Sequence, residues 1–424
     1  MPHFLLFCLL GALLAACASA PTTDPASSRS FTTAPASTDA PVSTEAPAST
    51  DAPTPLPIKQ LTPTQSPQPT WTPTSTPSPT PSPIPSPTPT ANPLEALRLS
   101  RLDDYTAIRP VSHLDLQTPS WSAYTFDPAD ARCIFGAQFS VLARPGRDPT
   151  KTVFWMNGGG ACWPGQEACA NHFDLSPWAS ENKLASQDER NPLRDWNFVF
   201  VPSCDGSFFM GDHQADYSGD GQVDHTHWGL RNTSAAVGLM RELFPASQKI
   251  LVAGCSAGGY GTLLAGPLIR LQYPEEQLYV FNESGPGLFN PSETDTWASL
   301  LEAWGLEPLL PAGCPRCRSQ LIYLYPWMLE RDPNLHIGLY SSYRDAVIGS
   351  IYLEMTPPAF ETLLMSATNE IHAEYPEEFK RFFVAGSSHC VADYFYAVNG
   401  VNVYDWIEAL VTDDPAWVDI VEDR

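Results

Sequence analysis

Gly254-Cys255-Ser256-Ala257-Gly258 sets a hydroxyl between two glycines with the spacing G-x-S-x-G. That spacing suits a sharp strand-to-helix turn that lifts the serine hydroxyl clear of a sheet, and flanking glycines avoid the clash that larger residues would make. The setting agrees. Lys249–Ala253 is an apolar strand-like run, and a helix rich in Leu and Ala is predicted from about Ala257 to Leu271. A helix starting there directs its positive end at the serine and stabilises negative charge beside it. The chemistry expected is nucleophilic attack on an acyl carbon; the alternative is a structural turn. Cys255 is a rival nucleophile, but the motif's middle position is Ser256, and Cys255 reads better as a small buried apolar side chain.

Attack on a carbonyl needs N–H donors fixed in advance around the developing oxyanion. Asn157-Gly158-Gly159-Gly160 follows the strand-like run Thr152–Met156, where the glycine-rich oxyanion loop of esterases lies. The amides of Gly159, Gly160 and Ala257 are the expected donors. A phosphate-binding loop is the competing reading, but neither a Walker lysine nor G-x-G-x-x-G spacing accompanies these glycines.

A serine nucleophile needs a base and a group to orient it, in the chain order Ser, acid, His. His336, His372 and His389 follow Ser256. His336 opens a predicted strand and His372 lies in an acidic helical stretch. His389 sits in Gly386-Ser-Ser-His-Cys390, just beyond the predicted strand Phe379–Val384, where a loop can carry its imidazole to the serine. Asp345 follows the predicted strand His336–Tyr340 in the same way and is the expected orienting carboxylate, with Asp332 and Asp393 as alternatives.

Further strand-like runs occur at Trp196–Val201 and Leu278–Phe281, and Thr233–Phe244 carries apolar residues at helical spacing. Strands that are continuously apolar and separated by helices indicate a mostly parallel sheet covered by helices on both faces, an α/β fold. The stretch 293–332 reads as a helical insertion.

Residues 94–424 suffice for one large domain. Ahead of them, 20 of the 44 prolines lie in 17–93, which carries only six charged residues after Pro21. Such a stretch buries too little apolar surface to offset the entropy of ordering and is expected to be a disordered, extended Ser/Thr/Pro-rich linker. Residues 1–16 read as a signal peptide with an apolar core from Phe4 to Ala16. Leu14-Ala-Ala-Cys17 resembles a bacterial lipobox, which implies a diacylglyceryl anchor on Cys17; an ordinary signal peptide cut after Ala18 or Ala20 is the alternative. The basic residues usual before such a core are missing from Met1-Pro-His3.

The formal net charge is −24, from 23 basic and 47 acidic residues without a basic run. That balance excludes nucleic acid as a partner and opposes a strongly anionic substrate. No cofactor or metal is expected: the single C-x-x-C, at Cys314–Cys317, lacks the second pair or histidines of a zinc site. Asp216–Asp224 resembles the start of a calcium loop, but His227 stands where the bidentate acid belongs, so the stretch reads as a hydrated surface loop.

Taken together, these residues resemble the pectin acetylesterase family, which also contains the animal Notum carboxylesterases. The landmarks are Gly158-Gly-Gly160 with Cys162, Ser203-Cys-Asp-Gly-Ser-Phe208 ending in Gly211-Asp212, Gly254–Gly259, and Ser388-His-Cys390; Trp228-Gly-Leu-Arg-Asn232 is similar to the family's helix entry. The resemblance spans about 130–400. It implies an α/β-hydrolase-like fold, Ser256, Asp345 and His389 as a triad, and Gly159, Gly160 and Ala257 as oxyanion donors. It also implies a Cys162–Cys169 disulfide, with Cys314–Cys317 as the next candidate in an exported chain. Ala161 stands where many members have Trp, and Asn282-Glu-Ser-Gly285 where Asp-Ser-Gly is common. The function expected is hydrolysis of a carboxylic ester, with O-acetylated polysaccharide as substrate. A lipid-like acyl ester and a catalytically silent binding protein are the alternatives.

Overall fold

The aliphatic runs that punctuate the sequence become the centre of one sheet. A computed structural model describes residues 101–116, 120–165, 169–172 and 183–423; the readings of 1–16, 17–93 and Cys17 lie outside these residues. Two short antiparallel pairs, β6 (His213–Ala215) with β7 (His225–His227) and β12 (Ala397–Val398) with β13 (Val401–Asn402), stand apart from the main sheet. The other strands are β1 (Pro110–Asp115), β2 (Ser122–Phe126), β3 (Ser140–Arg144), β4 (Asp148–Met156), β5 (Trp196–Val201), β8 (Lys249–Cys255), β9 (Gln277–Glu283), β10 (Leu335–Ser342), β11 (Phe379–Val384) and β14 (Ile420–Val421). They form one ten-stranded sheet in the order β1-β2-β3-β5-β4-β8-β9-β10-β11-β14. From β5 to β14 every pairing is parallel. The edge β1-β2-β3 is antiparallel, as is its junction with β5. The six strands read from the sequence are all present. The antiparallel edge was not read, because its short, mixed-polarity strands lack a continuous apolar run.

Side chains alternate between two cores, as period-two geometry requires. Ile250 and Val252 of β8 face one, with Phe154, Met156 and Val280; Leu251 and Ala253 face the other, with Val153, Trp155 and Phe281. The first core is covered by α1 (Gly229–Leu243), α2 (Ala257–Gln272), α3 (Thr294–Ala303), α4 (Leu324–Leu329) and α5 (Pro357–Glu374), the second by α6 (Val403–Thr412). Burial on both faces explains why the parallel strands are continuously apolar. The stretch 293–332 is helical as expected, holding α3, α4 and three short 3₁₀ turns. Among the described residues no helix is long and apolar enough to cross a membrane.

Candidate active site

Parallel strands bring their C-terminal ends to one edge of the sheet, where ligands bind in open α/β folds. The glycine loop follows β4, Ser256 follows β8, Asp345 lies three residues past β10, and His389 five past β11. The folding rule that orders these strands therefore gathers residues as far apart in sequence as Gly158 and His389.

Ser256 adopts φ 58° and ψ −118° between β8 and α2 and is 8% exposed. A positive φ on a non-glycine residue is strained and persists only where its surroundings enforce it. Here the chain has no room to relax. A Cβ on Gly258 would lie 1.9 Å from the Met156 carbonyl oxygen, and one on Gly254 would lie 2.4 Å from the Gly258 carbonyl oxygen. The two flanking glycines of the motif are thus fixed by backbone packing. Ala257 opens α2, so its amide belongs to the first turn, where N–H groups lack intrahelical partners.

The glycine loop lies against the serine. A Cβ on Gly158 would come 3.3 Å from Ser256 Cβ, and one on Gly159 would meet the Ser203 side chain at 2.6 Å. Gly160 has φ 76°. The loop is braced from behind by Cys162–Cys169, by the Ala170 N–H donating to the Gly159 carbonyl at 2.8 Å, and by Ala161 bridged to Ser207. Asp205, 1% exposed, accepts from the Ser207 N–H and hydroxyl and from the Phe209 N–H. Burial pushes its carboxyl upward from the usual range, and those donors pull it back. His227 donates through Nδ1 to the Asp205 carbonyl and accepts from Tyr217 at Nε2, 2.8 Å away. Burial holds it neutral, with its pKa lowered to about 4. The family-like Ser203–Phe208 segment is thus a buried scaffold under the glycine loop.

Asp345 caps a seven-residue π-helix, Ala346–Tyr352, and its Oδ1 accepts the Val347 and Ile348 N–H groups at 3.0 Å each. The carboxylate, 1% exposed, accepts from His389 Nδ1 at 3.1 Å (Oδ1) and 2.9 Å (Oδ2). Nδ1 therefore carries the proton, and Nε2 is left as the nitrogen able to accept one. The alternatives lie elsewhere. Asp332 is paired with Arg270 at 2.7 Å, and Asp393 caps the Phe395 N–H. His336 stacks on Tyr279 near the start of β10, and His372 bonds the Phe379 carbonyl at the start of β11. Both occupy the opposite end of the sheet from Ser256.

One reading is corrected. Cys255 is not a lone apolar filler: it is disulfide-bonded to Cys390, with Cα atoms 5.9 Å apart. The residue before Ser256 is thereby joined to the residue after His389. Closing a loop of 135 residues removes about 5 kcal/mol of unfolded-chain entropy on the loop-closure model. The signal was present in the sequence, since Cys-Ser and His-Cys each place a thiol next to a candidate catalytic residue. Cys133–Cys204 was also not read, while Cys162–Cys169 and Cys314–Cys317 are both formed. Cys255, His389 and Cys390 are the one group of metal-ligating side chains clustered among the described residues, but both sulfurs belong to the disulfide and offer no thiolate. In the 216–224 loop, Asp216 accepts the N–H groups of Gly219, Asp220 and Gly221, and Asp224 those of Tyr217 and Ser218.

A cavity of about 220 Å³ is walled by Trp163, Phe208, Tyr260, Phe289, Trp297 and Tyr352. Tyr260 is one helical turn past Ser256 and stacks on Phe208 at 4.5 Å. Ala161 is fully buried, and the nearby aromatic wall comes from Trp163 instead.

No curated protein matches the chain. Residues 124–303 match the family model described as Pectinacetylesterase.

Proposed function

We propose that this protein is an extracytoplasmic serine esterase that removes acyl groups, O-acetyl groups on a polysaccharide first among them, through a Ser256–His389–Asp345 triad. The family carries the coarser statement, an esterase acting on acetylated substrates. The observation that carries the finer one is the Asp345 carboxylate on His389 Nδ1 at 2.9 Å, in a loop cross-linked to the residue preceding Ser256. In the first step His389 Nε2 takes the Ser256 proton as Oγ attacks the ester carbonyl. The amides of Gly159, Gly160 and Ala257 receive the oxyanion, and the imidazolium passes its proton to the departing alcohol. In the second step water, deprotonated by the same nitrogen, releases the acid and restores Ser256.

The cavity favours a second reading of the acyl group. Its volume corresponds to about seven waters, and its walls combine aromatic and aliphatic groups, Ile348 and Leu353 included, with Asn290, Glu293, Thr296 and Glu354. That is more room than an acetyl group fills, and its aromatic and aliphatic part suits a longer acyl chain. Hydrolysis of p-nitrophenyl acetate, butyrate and octanoate by the full chain separates the two. A kcat/KM highest for acetate supports the acetyl reading, and one rising to octanoate supports the longer chain. Turnover of none of them, with Ser256 unlabelled by a phosphonate ester, means a binding module on this fold.

Four disulfides suit an oxidising compartment, and the proposed anchor at Cys17 would tether the domain at a membrane surface. Cys17→Ser is expected to shift the chain from the membrane to the soluble fraction on cell fractionation; an unchanged distribution removes the anchor from the proposal.

A further inference from the structure

The loop that carries His389 runs from Ala385 to Tyr396 without helix or strand. A segment of that length loses much conformational freedom on being fixed, so its position depends on its tethers. The Gly386 and Ser387 carbonyls accept the Arg344 and Ala346 N–H groups at 3.1 Å each. Asp345 holds the imidazole and Cys255 holds Cys390. Glu422 accepts the Ala385 N–H and the Tyr396 hydroxyl at the two ends of the loop, and the Tyr394 carbonyl accepts the Tyr404 N–H. The tethers that flank Cys390 itself come from two residues at the end of β9.

Glu283 is 3% exposed. One carboxylate oxygen accepts the Val391 N–H at 2.6 Å, and the other accepts the Tyr394 hydroxyl at 2.8 Å. Its carbonyl accepts the Ser256 N–H at 2.8 Å, and it is the register partner of Cys255. Next to it, the Ser284 hydroxyl accepts the Cys390 N–H at 3.1 Å. A single strand end therefore touches the nucleophile turn through its backbone and the histidine loop through its side chains.

The consequence concerns Cys390, which adopts φ 58°. A disulfide restrains the sulfur but leaves the backbone on either side free to rotate. The two N–H groups that bracket this strained residue, of Cys390 and of Val391, end on Ser284 and Glu283. Both peptide planes are thereby fixed, and with them the direction in which His389 leaves the backbone. Burial, and then the Glu283 charge, raise the Tyr394 hydroxyl far above its usual range, so Tyr394 stays a proton donor to the carboxylate.

We propose that Glu283 is a positioning residue for the reaction at Ser256: its buried carboxylate clamps Val391 and Tyr394, and so holds the strained Cys390 backbone that aims His389. This rests on the esterase reading above. The role predicts unequal effects from two substitutions. Glutamine keeps an oxygen for the Val391 N–H and turns an N–H toward the Tyr394 oxygen, which can accept it. Alanine removes both bonds.

The test is steady-state hydrolysis of p-nitrophenyl acetate by the full chain and by Glu283→Ala, Glu283→Gln and the double variant Ser284→Ala/Tyr394→Phe. Hydrogen exchange of the 386–396 backbone is followed in the same proteins by mass spectrometry. Expected are a kcat about 10-fold lower in Glu283→Ala with KM within twofold, recovery to within threefold of the parent in Glu283→Gln, and faster exchange in 386–396 for Glu283→Ala and the double variant but not for Glu283→Gln. A parent kcat in Glu283→Ala, or equal losses in the alanine and glutamine variants, overturns the clamp. If Glu283→Ala does not fold, the double variant decides: a kcat lowered about fivefold supports the clamp, and an unchanged one overturns it. Absence of hydrolysis in the unsubstituted chain removes the esterase reading. The exchange arm still decides whether Glu283 orders the histidine loop.

Discussion

Ser256→Ala is expected to lower kcat/KM for p-nitrophenyl acetate by about 10⁴- to 10⁶-fold, the range seen when a triad nucleophile is removed and only oxyanion stabilisation and binding remain. The substitution deletes one oxygen at a residue that is 8% exposed and leaves the bracing of the turn intact. The backbone contacts of Gly254 and Gly258 do not involve the serine hydroxyl, and the Ser256 N–H still donates to the Glu283 carbonyl. The thermal midpoint should therefore move by no more than a few degrees. A variant retaining more than a tenth of the parent rate would show that another group attacks. Cys255 is not that group, because its sulfur is already bonded to Cys390.

Asp345→Asn should be nearly as damaging, lowering kcat by about 10⁴-fold. The geometry gives the reason. Oδ1 of Asp345 accepts two backbone N–H groups, from Val347 and Ile348, as well as lying 3.1 Å from His389 Nδ1. In the asparagine variant those amides keep the side-chain oxygen where Oδ1 is now. The NH₂ then falls at the Oδ2 position, 2.9 Å from Nδ1. An N–H pointed at Nδ1 requires that nitrogen to accept, so the ring proton moves to Nε2 and the base is lost. The cap on the π-helix survives, and with it the fold. Activity should collapse while thermal unfolding changes little, a split that calorimetry and initial rates on one preparation can read. Equal loss of both would show that the carboxylate serves the fold and not the reaction.

How much of this was legible in the sequence follows from the range of each interaction. The Ser256 turn was, because strand, glycines and helix are contiguous, and their packing is enforced within a few residues. The positions of the glycine loop, Asp345 and His389 were as well, since each comes a short distance after an apolar strand. The family match ends at residue 303, before either of those two, so their placement rests on the strand pattern and the resemblance. The antiparallel edge was hidden, as β1 carries Ser, His and Asp and is exposed along most of its length. The role of Glu283 was hidden too. A carboxylate at the end of a buried strand gains its meaning only from Val391 and Tyr394, more than a hundred residues later, and no periodicity announces such a partnership.

The bond between Cys255 and Cys390 closes a covalent ring that contains α2, β9, α3, α4, β10, α5 and β11. A protease cutting once inside that ring, in the exposed turn at Glu307 or the segment near Glu354 for example, would open the chain without releasing a fragment. The two pieces would migrate together until a reductant parted them. Proteolytic nicking would therefore leave the segments that carry Ser256 and His389 fastened to each other.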